Sequence, residues 1–205
     1  ACRSMREFYN RHGVGDLVEW GEGICHVHLF ENDRIGPGQL VIGADSHTTT
    51  GGALGAFAMG IGSTDLAAAM ASGEFWLQVP EPLGIEFRGI PDVWCEGKDI
   101  ALRMVAWLGC GGGRDKVLEI DGKILKWLPM DGKLTITNMA AETSAVSSLI
   151  TTERAEFGPI SPDWEWNTEE VTIDDMGPQV AIPGSPNKVD DVENLEGKVV
   201  DQVFV

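Results

Sequence analysis

Short apolar strand patterns alternate with amphipathic helical patterns along most of this chain, and that alternation limits its fold more than any other feature. A Gly36-Pro37-Gly38 turn leads into Gln39 to Gly43 (QLVIG), which reads as a buried strand. Ala44 to Thr50 reads as a polar loop, and Gly51 to Met59 as a short helix broken by Gly60 and Gly62. Ser63, Thr64 and Asp65 then give N-cap and first-turn signals for a helix to about Leu77, and Pro80-Glu81-Pro82 ends that unit. Gly84 to Gly89 alternates as a strand. Lys98 to Leu108 places Ile100, Met104, Val105 and Leu108 on one helical face. Lys116 to Ile120 reads as a further strand and Leu134 to Val146 as a helix. Strands separated by helices pair in parallel, so the expected class is α/β: three-layer α/β/α units with a mostly parallel sheet. The expected divisions are 1–80, 81–150, an irregular connection over 151–197 that includes Trp164 and Trp166, and the first strand of a truncated third unit over 198–205.

Charge excludes some partners. Fifteen Lys and Arg stand against 32 Asp and Glu, for a net charge of -17. Such a chain repels phosphate backbones and anionic lipid surfaces, which argues against nucleic-acid and membrane binding. No segment reads as a signal peptide or a membrane span. Glycine is abundant, 26 of 205 residues, without a collagen period. Cys2, Cys25, Cys95 and Cys110 form no Cys-x-x-Cys pair and read as reduced thiols, consistent with a cytoplasmic location. The chain has no initiator Met and opens inside a helical pattern, with Met5, Phe8 and Tyr9 on one face. It closes on a strand pattern (GKVVDQVFV), so a fragment cut at both ends is expected.

Histidines are few: His12, His26, His28 and His47. His47 follows directly on a strand, where α/β domains place ligand groups. Asp45, two residues earlier, would point the same way in extended backbone, and a carboxylate beside an imidazole fixes its tautomer. The plainer reading makes Asp45 and Ser46 turn-formers and His47 a helix cap. Ser46, Thr48, Thr49 and Thr50 add small polar groups suited to an anionic ligand. If GEGICHVHL is a strand, His26 and His28 share a face and could hold a metal with Asp45. Without a third convergent ligand, one of them is a hydrogen-bonded core residue. Asn138 and Glu142 are spaced to share one helical face, and Glu142 alone reads as a solvated carboxylate unless it meets a histidine.

The run GADSHTTTGGALGAFAMGIGSTDLAAAMASGEFW, with GEGICH before it and TITNMAAE after it, closely resembles the aconitase superfamily. GPQVAIPGSPNK and VDQVFV fit as well. The resemblance covers 1–150 and about 176–205 and implies the fold of the aconitase iron–sulfur domain. It further implies an aconitase-type hydro-lyase that dehydrates and rehydrates a hydroxy-dicarboxylate or tricarboxylate. Isopropylmalate isomerisation in leucine biosynthesis is the first expectation, with homoaconitase- or aconitase-type activity as the alternative. A 4Fe–4S cluster supplies the Lewis-acid iron in that family, and histidine–carboxylate pairs handle the proton. Matched position by position, His26 pairs with Asp45 and His47 with Glu142 as catalytic residues. Ser46 and Asn138 match substrate-binding positions. His28 and Cys25 match none.

Departures from the family accompany the matches. By the resemblance, the three cluster cysteines would follow Val205 and an upstream Asp-His pair would precede Ala1. The substrate-clamping arginines and the base serine would lie on a swivelling domain or small subunit, the expected partner. None of Cys2, Cys95 and Cys110 matches a cluster ligand, so no metal site is expected in this chain and the chain alone is expected to be inactive. The stretch from Thr151 to Asp175 is shorter than the family's usual connection, which keeps open a non-catalytic, degenerate relative.

Overall fold

The computed structural model describes residues 2–13, 15–151 and 167–203. These divide into two compact units, Ala1–Arg34 and Ile35–Val205. The expected break near 80–82 is therefore not where the compact units part.

The first unit carries two helices, α1 (Cys2–His12) and α2 (Cys25–Glu31). Arg6 grips the Glu19 carboxylate with its Nε and Nη2, at 2.9 and 2.7 Å, and holds that carboxyl below its usual range. The strand considered for Cys25–Leu29 is a helix. His26 and His28 then lie about 200° apart around the helix axis and do not share a face. Asn32 closes α2 by donating its side-chain amide to the His28 carbonyl at 2.8 Å, which accords with a structural part for this stretch.

In the second unit β1 (Leu40–Gly43) runs parallel to β2 (Phe57–Gly60), the two joined by a 3-10 helix over Ser46–Leu54. So the expected loop at 44–50 is helical, and the expected helix at 51–59 becomes the end of that 3-10 segment followed by a strand. Helix α3 (Ser63–Ser72) stops five residues before Leu77, where Gly73 adopts a left-handed φ of 74°.

The main sheet has four parallel strands in the order β5-β4-β3-β6. They are β3 (Glu81–Arg88), β4 (Lys116–Gly122), β5 (Ser147–Ile150) and β6 (Thr168–Thr172). Helix α4 (Gly97–Leu108) links β3 to β4, and α5 (Met130–Met139) links β4 to β5. Such crossovers are right-handed, so both helices fall on one side of the sheet. There Gly97 and Gly132 let them touch: a Cβ on Gly97 would lie 2.6 Å from the Gly132 carbonyl oxygen. Glu96 and Asp99 form a capping box at the start of α4. Leu83, Ile85, Leu118, Ile120, Ile100, Met104, Val105 and Ile136 fill the space between the layers, each 4% exposed or less. Burial of one such side chain contributes roughly 1.5–3 kcal/mol. The α/β class with a mostly parallel sheet is thus the observed one.

The stretch expected to be irregular contains regular structure. Residues 152–166, with Trp164 and Trp166, lie outside the described residues, but β6 joins the main sheet. An antiparallel pair follows, β7 (Gln179–Ala181) and β8 (Val189–Asp191). The Gln179 backbone N–H donates to Asp99 Oδ1 at 2.7 Å and ties the pair to α4. Residues 198–203 form no strand, because their alternating valines meet no ladder partner among the described residues. No helix among the described residues is long and apolar enough to cross a membrane.

Candidate active site

Local hydrogen bonds shape the turn that carries His47. Asp45 is extended, at φ -126° and ψ 134°, and its carboxylate accepts the His47 backbone N–H at 2.7 Å. Thr48 Oγ1 donates to the Asp45 carbonyl and Thr50 Oγ1 to the His47 carbonyl, both at 2.6 Å. Each bond spans three residues, which is the 3-10 spacing. Asp45, and not His47 as the plainer reading expects, caps this helix. Glycine at position 60 lets the turn sit on the end of β2, since a Cβ there would lie 2.5 Å from the Asp45 carbonyl oxygen.

Helix α5 and strand β5 clamp the turn from outside. Thr49 Oγ1 meets Ser148 Oγ at 2.7 Å, and Ser148 Oγ donates to the Thr137 carbonyl at 3.2 Å. Thr137 Oγ1 donates to the Thr50 carbonyl at 3.0 Å, and Asn138 Nδ2 donates to Thr50 Oγ1 at 2.9 Å. Ser147 Oγ donates to the Ala58 carbonyl at 2.7 Å and joins β5 to β2. Thr48, Thr49 and Thr50 are therefore buried and already engaged, so they are not the open anion site that the composition of the loop pointed to. No buried side-chain polar atom among the described residues lacks a partner.

Beyond Met139 the chain tightens into a 3-10 turn, Ala140–Thr143, which carries Glu142 to the imidazole. Glu142 Oε1 stands 3.4 Å from His47 Nε2 across 95 residues of sequence. Ser46 Oγ is 3.2 Å from Nδ1, and Asp45 Oδ1 is 3.5 Å from the same nitrogen. The His47 and Glu142 side chains are each 35% exposed, open enough for a solute to reach and still fixed by contacts. An ionised carboxylate only accepts, so Glu142 takes the Nε2 proton bond and leaves Nδ1 facing Ser46 and solvent. When charged, the ring donates through Nε2 to Glu142 and through Nδ1 to Ser46 Oγ, with the Asp45 carboxylate 3.5 Å from Nδ1 as an ion-pair neighbour. It can thus take up and release a proton without moving.

The structure brings Asp45, Ser46, His47, Asn138 and Glu142 to one turn and the helix end beside it. Asn138 reaches that place with its amide given to Thr50. His26 lies on α2 in the first unit. The metal grouping considered for His26, His28 and Asp45 is not found. Among the described residues no three His, Cys, Asp or Glu side chains are placed to hold a metal ion, and α2 turns its two histidines apart. Thr137 and Ser148 belong to the site as well. Their contacts cross 87 and 99 residues, and no local pattern marks them.

The sequence model of the aconitase family (aconitate hydratase) matches residues 1–158. The chain belongs to the aconitase family. Over 98% of its length it is 37% identical to a 3-isopropylmalate dehydratase large subunit 1 of Methanopyrus kandleri. It is 39% identical to a 3-isopropylmalate dehydratase large subunit of Aquifex aeolicus over its whole length, and 38% identical to that of Moorella thermoacetica. It covers 51%, 50% and 52% of those three proteins, so it spans about half the length of the curated relatives it matches.

The family's chemistry implies a 4Fe–4S cluster, and such clusters are held by cysteine thiolates. The cysteines described in this aconitase-family chain do not fit that task. Cys95 is driven up to about 11, first by burial and then by the Asp99 and Asp92 carboxylates, and its thiol donates to the Met176 carbonyl at 3.1 Å. Cys110 lies against Ser185 and Asn187, each at 3.3 Å. Cys25 is exposed on α2.

Proposed function

We propose that this chain is the histidine-bearing part of a hydro-lyase that removes water from a hydroxy-dicarboxylate and adds it back, with isopropylmalate as the substrate. The approach of Glu142 to His47 carries this reading. A carboxylate brought across 95 residues to an imidazole that a capped turn presents to solvent is the arrangement a proton-transfer residue needs. Similarity to 3-isopropylmalate dehydratase large subunits supports the choice of substrate.

Dehydration breaks a C–O and a C–H bond: the C–H proton passes to a base that we assign to the small subunit, and the departing hydroxyl must leave with a proton of its own. In this reading the charged His47 ring gives that proton, and the neutral ring takes it back from water on re-addition. Glu142 and Asp45 keep the ring in place through both states, and Ser46, exposed beside Nδ1, contacts the substrate. Asn138 serves the same site. The resemblance adds His26, with Asp45 as its carboxylate, to the catalytic set. We assign the cluster cysteines and the carboxylate-clamping cations to the remaining half of the relatives' length and to a small subunit. A cytoplasmic location belongs to the same proposal and rests on four cysteines scattered along the sequence without a Cys-x-x-Cys pair.

The test is turnover of isopropylmalate by the complete holoenzyme with its small subunit, followed by the absorbance of the unsaturated diacid. His47→Ala is expected to lower kcat by about 10²–10⁴-fold. Undiminished turnover in that variant would remove the role assigned to His47. Activity on citrate or homocitrate but not on isopropylmalate would move the substrate to the alternative class.

A further inference from the structure

We infer that Thr50 is a positioning residue for His47, and that Asn138 acts on the site by setting the direction of the Thr50 hydroxyl. This deepens the reading of His47 above and rests on it. Thr50 is 5% exposed, so its hydroxyl can meet no substrate directly. A hydroxyl has one proton to give. Asn138 Nδ2 is donor only, and its 2.9 Å contact with Thr50 Oγ1 makes that oxygen the acceptor. The hydroxyl proton is then committed to the His47 carbonyl, 2.6 Å away. The Thr50 carbonyl is fixed in turn by the Thr137 hydroxyl at 3.0 Å.

His47 is thereby held at two points by one stretch of chain. Its backbone is held through Thr50 by Asn138, and its ring by Glu142, four residues later on the continuation of the same helix. A valine at position 50 would keep the shape and remove two bonds, the one the His47 carbonyl accepts and the one the Asn138 amide donates. With the carbonyl released, the 3-10 turn loses the bond that sets the height of the ring against Glu142. That separation is already 3.4 Å, so a shift of a few tenths of an ångström ends the hydrogen bond.

Two variants separate positioning from packing. Thr50→Val removes the hydroxyl and keeps the volume, whereas Thr50→Ser keeps the hydroxyl and loses a methyl. We expect Thr50→Val to lower kcat of the holoenzyme by about 10- to 100-fold, with KM changed by less than about threefold. Thr50→Ser should stay within about threefold of the parent on both. A readout independent of turnover is the imidazole Nε2 proton of His47, observed by 1H–15N NMR in the 205-residue chain: present and slow to exchange in the parent and in Thr50→Ser, lost in Thr50→Val. The inference is overturned if Thr50→Val keeps both kcat and that signal, or if Thr50→Ser is the more damaged of the two, which marks a packing role. Should His47→Ala itself leave turnover intact, the functional reading fails, while the NMR comparison still decides whether Thr50 positions the ring.

Discussion

Gly60→Ala perturbs the site by a single methyl group at a position whose backbone accepts alanine, since Gly60 is not among the residues at positive φ. The new Cβ would stand 2.5 Å from the Asp45 carbonyl oxygen, 2.8 Å from Ser46 Cα and 3.0 Å from the Asp45 carbonyl carbon. These are backbone atoms of the turn itself, so no side chain can swing aside. Reaching 3.0 Å from the oxygen requires the turn to retreat by about half an ångström, and ordinary contact begins only at 3.4 Å. Asp45 caps the 3-10 helix and Ser46 begins it, so the retreat carries His47 with it. The 3.4 Å approach of Nε2 to Glu142 has no slack for such a shift. Overpacking of this kind costs about 1–3 kcal/mol, partly offset by the lower entropy that alanine gives the unfolded chain. The net cost is then about 1–2 kcal/mol, and at about 2–4 °C per kcal/mol for a chain of this size Tm should fall by about 2–8 °C. Misplacement of a reacting group by up to about 1 Å should cost kcat about 10- to 100-fold. Gly111→Ala is the control, because nothing lies within 4 Å of its Cβ position and its φ is not positive. Calorimetry and turnover of the two variants decide the matter. If Gly60→Ala matches Gly111→Ala in Tm and kcat, the turn is not seated as described and the reasoning is wrong.

Other outcomes follow from the same contacts. Ser148→Ala deprives Thr49 Oγ1 and the Thr137 carbonyl of a buried partner and should lower stability by about 1–3 kcal/mol in urea unfolding, more than an exposed Ser→Ala change. Leu118→Ala opens a cavity at a fully buried point of the main sheet and should cost about 2–5 kcal/mol by the same measurement, without altering the His47 ring signal. Exposed Cys110 should react with iodoacetamide at pH 8, while Cys95 resists until pH nears 11, as read by mass spectrometry of the labelled peptides. The Cys95 thiol keeps its proton more firmly folded than unfolded. Its contribution to stability is therefore complete below pH 9 and is lost as pH rises from 9.0 towards about 11.

Much of the fold was legible because burial of its strands and helices depends on apolar spacing. Leu83, Ile85 and Phe87 alternate along β3, and Ile100, Met104 and Val105 recur on one side of α4, so both elements appear in the sequence near their observed bounds. Hydroxyl chemistry was less visible. Ala44 to Thr50 lacks apolar period, and it becomes a 3-10 helix because Thr48 and Thr50 each bond a carbonyl three residues back. Phe57–Gly60 is four residues long, too short for periodicity to separate strand from helix, and its parallel pairing with β1 decides the matter. The alternation in GICHVHL misled in the opposite direction, since the seven residues of α2 span about two turns and show no clear face. Strand β6 is hidden by its charges, with Val171 the one fully buried side chain of Thr168–Thr172. At the site, Asp45, Ser46 and His47 stood out as a motif after a strand. Glu142 was assigned through the family resemblance, because nothing local to TITNMAAE reveals that its carboxylate turns back to a histidine 95 residues earlier.

Glu142 holding the His47 ring through Nε2 is the contact on which the site depends most. Proton-detected NMR of the 15N-labelled imidazole measures this directly, in the parent chain and in Glu142→Ala. A slowly exchanging Nε2 proton in the parent that disappears in Glu142→Ala is the predicted result. A parent ring whose Nε2 proton exchanges as fast as that of an exposed histidine, or a signal that survives the loss of the carboxylate, would contradict it.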